Sequence, residues 1–454
     1  MKGNTDFVNE NTYRSLLRMF IPLCLAMTLT MLYNMVDSFW VGNMLGEHGM
    51  SALTAGTAIV LIMNSLAMGM GNGISVMFAH MVGNKDLDRI PGAAATVLIV
   101  GGSISIVIIL LGELLLSPIL SLMGTPEELL SDALWYLRIY LIGNAALFLY
   151  MQFTSIFRAF GDSLFQMKGM ILTVIFNAIL DPILIRPFGL GGAAAVTVAS
   201  EILCLIYAVW YYRKNRLFFI DYTGTKREYA KTMLSLSIPT TMQAIMPPIS
   251  SAVMISFVSS FGVTALAGFG VARNLELIMF MPTTGMCMAM SSIVGQCNGA
   301  GRPDRAKDYL KSGMLVGGLM IAVLSALVIL FSGKMTGLFG QGTEVAAIVT
   351  TFFQIISVGY VLYMLTSCMQ GYVTGLGKPW AAMMLLILYY IVFRIPAAYW
   401  LSEISGLAGI WGAFLVSHVM AFAVAIYMTI DPDRSLIMTT KRIETKFKIV
   451  SSDL

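Results

Sequence analysis

Long apolar stretches, separated by short polar turns, fill the chain from residue 17 to residue 429. A helix needs roughly 20 apolar residues to cross a hydrocarbon core of about 30 Å. Twelve stretches are long enough, and this pattern predicts an all-α membrane protein with twelve transmembrane helices. We place the helices at 17–41, 51–81, 93–117, 132–157, 166–186, 190–211, 233–260, 265–297, 312–332, 345–372, 380–401 and 407–429.

The positive charges between these stretches sort to one side of the membrane when successive turns are assigned to alternate sides. That side holds the clusters at 213–231 and 302–311, whereas the other side holds only Arg186 and Lys334. Cytoplasmic turns of membrane proteins are rich in Lys and Arg. We therefore predict a multi-pass protein of the plasma membrane with both termini in the cytoplasm.

The second six predicted helices repeat the first six at an offset of 213 to 217 residues. Because six is an even number, both copies enter the membrane from the same side, and a pseudo-two-fold axis would run along the membrane normal. We predict an N-lobe at 1–212, a cytoplasmic linker at 213–231, a C-lobe at 232–430 and a cytoplasmic tail at 431–454. The ordered matches include Gly69, Ser75, Asp88 and Arg89 with Gly285, Ser291, Asp304 and Arg305, and Gly189, Gly192 and Ser200 with Gly406, Gly409 and Ser417.

Composition narrows the class of protein further. Hydrophobic residues make up 57% of the 454 residues and charged residues only 11%, against about 25% charged residues in soluble domains. The net charge of +4 has no basic stripe that would indicate nucleic-acid binding. The chain has no phosphate-binding loop, His-rich zinc motif or nucleophile elbow. We expect neither an enzyme nor a direct ATP-driven pump, and no cofactor besides a coupling ion.

Two acidic residues fall inside predicted membrane helices. Asp37 lies late in the first helix and Asp181 late in the fifth, with Asn177 one turn before Asp181 on the same face. Inserting a charged side chain at membrane depth costs at least about 2.5–3.5 kcal/mol of free energy, so such a residue indicates a functional role. An oxygen-rich cluster suits Na⁺, and buried carboxylates also suit proton capture. The alternative is that Asp37 lies at the water interface and Asp181 merely ends its helix before Pro182.

Other polar residues at membrane depth are candidates for substrate binding or gating. Arg273 and Glu276 are three residues apart and can form an intrahelical ion pair, which either neutralises itself or handles substrate or protons. Arg394 and Glu201 have no partner nearby in the sequence, so they face the central cleft or pair across helices. Pro22 lies inside the first helix, where it removes a backbone hydrogen bond and produces a kink.

Several motifs resemble the multidrug and toxic compound extrusion (MATE) family across residues 15 to 430. They are Tyr33-Asn34-x-x-Asp37, Asn177-x-x-x-Asp181-Pro182, Arg273-x-x-Glu276 followed by Met281-Pro282, and the glycine-rich turns at 83–85 and 299–301. The resemblance implies a two-lobed antiporter. It would expel small amphipathic organic cations in exchange for Na⁺ or H⁺.

The resemblance also implies a set of cation-coupling residues in the N-lobe. Similar prokaryotic members use an Asp in helix 1, an Asn and an Asp in helix 5 and a Thr in helix 6. Tyr33 and Asn34 share the helix 1 motif, and Pro22 matches the family's helix 1 proline, which is linked to bending. The matching residues are Asp37, Asn177, Asp181 and Thr197, of which Asp37, Asn177 and Asp181 would ligate the metal if the ion is Na⁺.

Two rival functions remain open from the sequence. A flippase for lipid-linked oligosaccharides belongs to the same superfamily and shares the fold. A membrane-embedded enzyme is disfavoured because no nucleophile, metal set or phosphate loop is present. We expect the protein to act as a monomer in the lipid bilayer, with no nucleic-acid partner.

Overall fold

A computed structural model of the protein describes residues 6–123, 125–337 and 342–430, and these ranges are almost entirely helical. The tail predicted at 431–454 lies outside the described residues. The all-α class is therefore confirmed. In chain order the helices are α1 (Thr12–Gly83), α2 (Ile90–Leu122), α3 (Glu127–Ala159), α4 (Leu164–Asn215), α5 (Arg227–Ser259), α6 (Val263–Gly299), α7 (Pro303–Gly337), α8 (Thr343–Gly375), α9 (Pro379–Ile387) and α10 (Arg394–Ile430).

Three short elements complete the described chain. The 3₁₀ turns Leu87–Arg89 and Tyr222–Gly224 precede α2 and α5, and a π-helix at Leu388–Phe393 joins α9 to α10. Counting α9, the π-helix and α10 as one stretch, nine helical stretches of the described ranges are long and apolar enough to cross a membrane.

Three of these stretches are each interrupted by one glycine. Gly46 in α1, Gly189 in α4 and Gly406 in α10 have φ of 64°, 58° and 59° and ψ of −153°, −139° and −136°, so each of these stretches is two helices that meet at a kink. Glycine adopts this conformation without the penalty that a Cβ would bring. Each glycine lies between two of the spans predicted from the sequence.

The outer surface of the helices is apolar. On α2, the side chains of Ile106, Leu110 and Leu114 are 56%, 61% and 74% exposed, and they follow one another at a spacing of one helical turn. A contiguous apolar stripe of this kind has no place in water, so it faces lipid. The protein is a multi-pass membrane protein.

The described chain divides into two compact units. Unit 1 contains Ile21–Thr241, and unit 2 contains Phe7–Phe20 together with the described residues from Met242 onward. The first turns of α1 therefore pack in unit 2, and the first turns of α5 pack in unit 1.

An arginine holds each of these helix starts. In unit 2, Arg305 donates to the hydroxyl of Thr12 (2.9 Å) and to the carbonyl of Phe7 (3.2 Å). In unit 1, Arg89 donates to the carboxylate of Glu228 at 3.3 Å. Arg305 is the repeat counterpart of Arg89, at an offset of 216 residues, so an arginine at matching positions of the repeat contacts a helix start in each unit.

Backbone packing beside two of the kinks is very close. A Cβ placed on Gly192 would overlap the carbonyl of Leu184, and a Cβ on Gly409 would overlap the carbonyl of Leu401. Small residues let membrane helices approach with their backbones in contact. The two halves of α4 thus pack tightly just after Gly189, and the same is true around Gly406 in α10.

This packing predicts that Gly192→Ala destabilises the protein. The added methyl group meets backbone atoms, which cannot rotate away, so we expect a loss of about 1–3 kcal/mol, typical of overpacking. The measurement is the thermal unfolding midpoint of the purified protein in detergent. Gly270→Ala is the matched control, since a Cβ there meets no atom within 4 Å. Equal unfolding midpoints for the two variants would contradict the close backbone packing at Gly192.

Candidate cation-binding site

The carboxylates predicted as cation ligands lie in one region inside unit 1. Asp37 is in the first half of α1 and is partly exposed, whereas Asn177 and Asp181, in the first half of α4, are fully buried. The charge of Asp37 acts on Asp181, and both charges act on the phenol of Tyr136. The structure therefore brings these carboxylates within electrostatic range of each other.

Several polar atoms of this region are buried and lack a hydrogen-bond partner in the described chain. Asp37 Oδ1, both carboxylate oxygens of Asp181 and both side-chain amide atoms of Asn177 are buried without a hydrogen-bond partner among the described residues. A buried polar group without a partner costs roughly 1–3 kcal/mol, and a charged group costs more. A hard cation coordinated by carboxylate and amide oxygens would remove this cost. The donor set thus fits Na⁺, and protonation would relieve the carboxylates in the same way.

A hydrogen bond brings the predicted threonine beside the first helix. The hydroxyl of Tyr33, one turn before Asp37, donates to Thr197 Oγ1 at 3.0 Å. Thr197 in turn donates to the carbonyl of Ala193 at 3.2 Å, and its side chain is buried. The second half of α4 is therefore tied to α1 next to Asp37.

Two residues of the predicted set lie apart from this region. Asn34 is exposed, and the structure gives no hydrogen bond from its side chain within the described ranges. Pro22 lies inside α1, about 22 Å along the helix from Asp37 at 1.5 Å per residue. It follows directly after Ile21, where unit 1 begins.

Sequence reasoning missed several polar residues in the interior of unit 1, among them one in α3 and one in α4. The side chains of Asn144 in α3 and Ser200 in the second half of α4 are fully buried, and their polar atoms have no hydrogen-bond partner in the described part of the chain. The available signal was the match of Ser200 to Ser417 in the repeat. Asn144 could have been noticed as an amide inside an apolar helix.

In unit 2 the predicted ion pair of α6 is present. Arg273 donates to Glu276 Oε2 at 3.0 Å, and the hydroxyl of Tyr360 donates to Glu276 Oε1 at 3.0 Å. Glu276 is 1% exposed and Arg273 is 33% exposed. The buried carboxylate therefore has two donors, in contrast to the carboxylates of unit 1.

Arg394 is buried in unit 2 at the end of the π-helix. Its Nε donates to Ser417 Oγ at 3.0 Å. Its guanidinium carbon lies 4.8, 4.8 and 4.5 Å from the ring centroids of Tyr389, Tyr390 and Phe414. Aromatic faces attract cations, most strongly when desolvated. In the described residues no carboxylate forms an ion pair with Arg394, so the rings and one hydroxyl stabilise its charge.

Glu201 lies in unit 1, one turn after Thr197 in the second half of α4. Its Oε2 is buried and has no hydrogen-bond partner in the ranges that the structure describes. No group of three or more His, Cys, Asp or Glu residues within those ranges is arranged to hold a metal ion. The polar region of unit 1 contains carboxylates, amides and hydroxyls, which are ligands that hard cations prefer.

A multi-pass helical protein with unpaired carboxylates buried inside its helices belongs to the class of membrane transporters. The MatE family model matches residues 22–183 and matches again at residues 239–400. The chain belongs to this family, the MATE transporters, whose members are not enzymes. The resemblance seen in the sequence is confirmed.

Relatives and solved structures of the same family match along nearly the whole chain. The probable multidrug resistance protein YoeA of Bacillus subtilis is 27% identical over 437 residues, covering 92% of each chain. The multidrug export protein MepA of Staphylococcus aureus is 22% identical, covering 96% of this chain and 98% of its own. A mutant of the Vibrio cholerae MATE transporter VcmN, 20% identical, matches in structure with a TM-score of 0.89 over 94% of this chain and 98% of its own.

The hydrogen bond between Tyr33 and Thr197 predicts a specific effect on cation binding. In Tyr33→Phe the bond is lost, which costs about 0.5–1.5 kcal/mol, so we expect roughly three- to tenfold weaker apparent affinity for the coupling cation. The measurement is thermal stabilisation of the purified protein, titrated with NaCl at fixed pH and with pH at fixed salt. Tyr13→Phe, at an exposed tyrosine, is the control. If both variants titrate like the wild type, Tyr33 has no part in the site.

Proposed function

We propose that the protein is a secondary antiporter that exports small amphipathic organic cations in exchange for Na⁺ or H⁺. The cation site consists of Asp37, Asn177, Asp181 and Thr197. The observation that carries this proposal is the set of buried oxygens on the first three residues that lack any partner in the described chain. The printed names of the relatives, which are multidrug resistance and export proteins, support the class of substrate.

The proposed mechanism is alternating access driven by charge neutralisation. A cation that enters from outside neutralises the carboxylates of unit 1 and stabilises one conformation, because a ligand favours the state that it binds more tightly. An organic cation competes for the same negative charge. The two cannot be bound together without electrostatic cost, so release of one accompanies binding of the other. The ion gradient then drives export of the organic cation.

The proposed topology follows from the three kinked helices. We infer that each of them crosses the membrane twice, with Gly46, Gly189 and Gly406 at the turns, so that the chain makes twelve crossings. The charge distribution of the turns supports cytoplasmic termini and a location in the plasma membrane. The double match of the family model supports two pseudo-two-fold-related lobes. A monomer suffices, since unit 1 alone supplies all four ligands.

The neutral variants Asp37→Asn and Asp181→Asn test the site. Each removes one carboxylate charge with little change of shape, so we expect each to abolish gradient-driven efflux, at least a tenfold loss, while the protein still folds and inserts. The measurement is uptake of a cationic dye into inverted vesicles, with Na⁺ and H⁺ gradients imposed separately. Asp132→Asn, at an exposed carboxylate paired with His48 at 3.1 Å, is the control. Efflux at the wild-type rate in either site variant would refute the coupling assignment.

Dye accumulation separates an exporter from a lipid-linked oligosaccharide flippase. Expressed in a pump-deficient bacterial host, the protein should lower the steady-state accumulation of cationic dyes several-fold compared with the empty vector. The Asp37→Asn variant, expressed at an equal level, should restore accumulation to that of the vector. Unchanged accumulation across several dyes would instead favour the flippase.

A further inference from the structure

Between α2 and the first turns of α5, unit 1 has an apolar groove of about 350 Å³. Its walls are side chains of α2 between Ile99 and Ile108, together with Leu234 of α5. One wall residue, Ser103, carries a hydroxyl, and this hydroxyl donates to the carbonyl of Ile99 at 2.9 Å. The hydrogen bond satisfies the hydroxyl within its own helix. The walls therefore favour an apolar occupant over water.

The groove opens because α5 leaves α2 and packs against α1 instead. Just before α5 begins, the backbone N–H of Lys226 donates to Thr96 Oγ1 of α2 at 3.3 Å. About three turns later, Ser237 Oγ donates to the carbonyl of Met70 in α1 at 3.2 Å. Hydrogen bonds therefore fix α5 to α2 at one point and to α1 at the other. The space between α2 and α5 is a built-in feature of the helix packing.

The size of the groove matches one acyl chain. Ile99 and Val107 are 48% and 52% exposed, so the groove is open to the lipid on its outer side. From Ile99 to Ile108 it runs about 14 Å along α2, at 1.5 Å per residue. One leaflet of the hydrocarbon core is about 15 Å thick, half of the total of about 30 Å. The acyl chain of a lipid from a single leaflet therefore has the length of the groove.

Two basic residues lie on the face of α5 that lines the groove. Arg227 and Lys231 precede Leu234 by seven and three residues, a spacing that places all three on one face of the helix. At 1.5 Å per residue, they lie about 10 and 5 Å before Leu234 along the helix. The headgroup layer on each side of a bilayer is about 5–7 Å thick. The two charges therefore lie at headgroup depth when Leu234 lies among acyl chains.

The register of the two helices agrees with this placement. The contact between Thr96 and Lys226 gives the starting point, and both helices run away from it toward the groove. Three residues further along each helix, Ile99 lies level with a point between Arg227 and Lys231. Ile99 is the first wall residue of α2. The positive charges therefore flank the end of the groove that is nearest the start of α5.

Both charges are available to a ligand. Arg227 is exposed and Lys231 is partly buried, and neither forms an ion pair with any residue that the structure describes. The acidic neighbour Glu228 lies about 100° around the helix from Arg227, and it pairs with Arg89 at 3.3 Å. The groove therefore combines an apolar bed with two positive charges at one end, which is complementary to an anionic phospholipid.

We propose that the groove between α2 and α5 binds one anionic phospholipid of the cytoplasmic leaflet, with an acyl chain along α2 and the phosphate on Lys231 and Arg227. The start of α5 adds to the attraction, because the N-terminus of a helix favours an anion. The bound chain fills the space between the two helices and stabilises their packing. The inference goes beyond the antiport function and rests only on the proposed topology, which places these basic residues on the cytoplasmic side.

Native mass spectrometry of the purified protein in detergent measures how tightly each lipid binds. The titrants are dioleoylphosphatidylglycerol, which is anionic, and dioleoylphosphatidylcholine, which has the same acyl chains and no net charge. We expect the wild type to bind the anionic lipid several-fold more tightly. Lys231→Gln should weaken this binding about fivefold, the effect of one basic residue at an anionic lipid surface, and leave phosphatidylcholine binding unchanged. Lys307→Gln, at an exposed lysine of α7, is the control and should bind both lipids like the wild type.

Ser103→Phe tests the acyl-chain half of the site. The phenyl ring would occupy the groove, so both lipids should bind several-fold more weakly. Leu110→Phe is the matched control, because Leu110 is 61% exposed on the lipid-facing stripe of α2 and does not line the groove. It should bind both lipids like the wild type. Wild-type lipid binding in Ser103→Phe contradicts the placement of the chain.

Equal binding of the two lipids by the wild type overturns the inference, and so does a wild-type preference that persists in Lys231→Gln. The same spectra report the oligomeric state. Dimers of the wild type that Ser103→Phe converts to monomers would assign the groove to a second copy of the chain, and the lipid site would be wrong. Every readout is a bound mass and none is dye transport, so these outcomes are separate from those that test the proposed antiport.

Discussion

The interior of unit 1 is organised around buried carboxylate oxygens that have no hydrogen-bond partner in the described part of the chain. Asp181 and the Oδ1 atom of Asp37 are buried among apolar helices, where an unpaired charge costs several times the net gain from an ordinary hydrogen bond. A helix bundle tolerates such residues only if something else neutralises them for part of the time. In the proposed mechanism an exchangeable cation does this, and the free energy of its binding links an ion gradient to conformational change.

The backbone keeps these groups together through close packing at a few glycines. Gly192 lets the two halves of α4 touch just beyond the Gly189 kink, which fixes the register that places Thr197 and Ser200 beside the first half of the helix. The bond from Tyr33 to Thr197 then ties α4 to α1. In the proposed mechanism, a movement of α1 would therefore also shift the second half of α4.

The two copies of the repeat have the same backbone packing but different polar interiors. Gly409 repeats the role of Gly192, yet Arg394 with its three aromatic neighbours takes the place of Asn177. Glu276 is satisfied by Arg273 and a tyrosine. Glu276 in unit 2 therefore has its compensating charge within the protein, whereas in the proposed mechanism the carboxylates of unit 1 take theirs from solution.

The sequence by itself determined the helical class, the membrane environment and the family, and it placed Asp37 and Asp181 inside predicted membrane helices. These follow from hydrophobicity and local spacing, which are properties of neighbouring residues. Only the tertiary structure decided that Thr197 meets Tyr33, that Glu201 lies against Gly143 and that aromatic rings surround Arg394. It also decided that the first turns of α1 and α5 join unit 2 and unit 1. Such contacts join residues of different helices, and their register depends on side-chain packing that local sequence patterns do not encode.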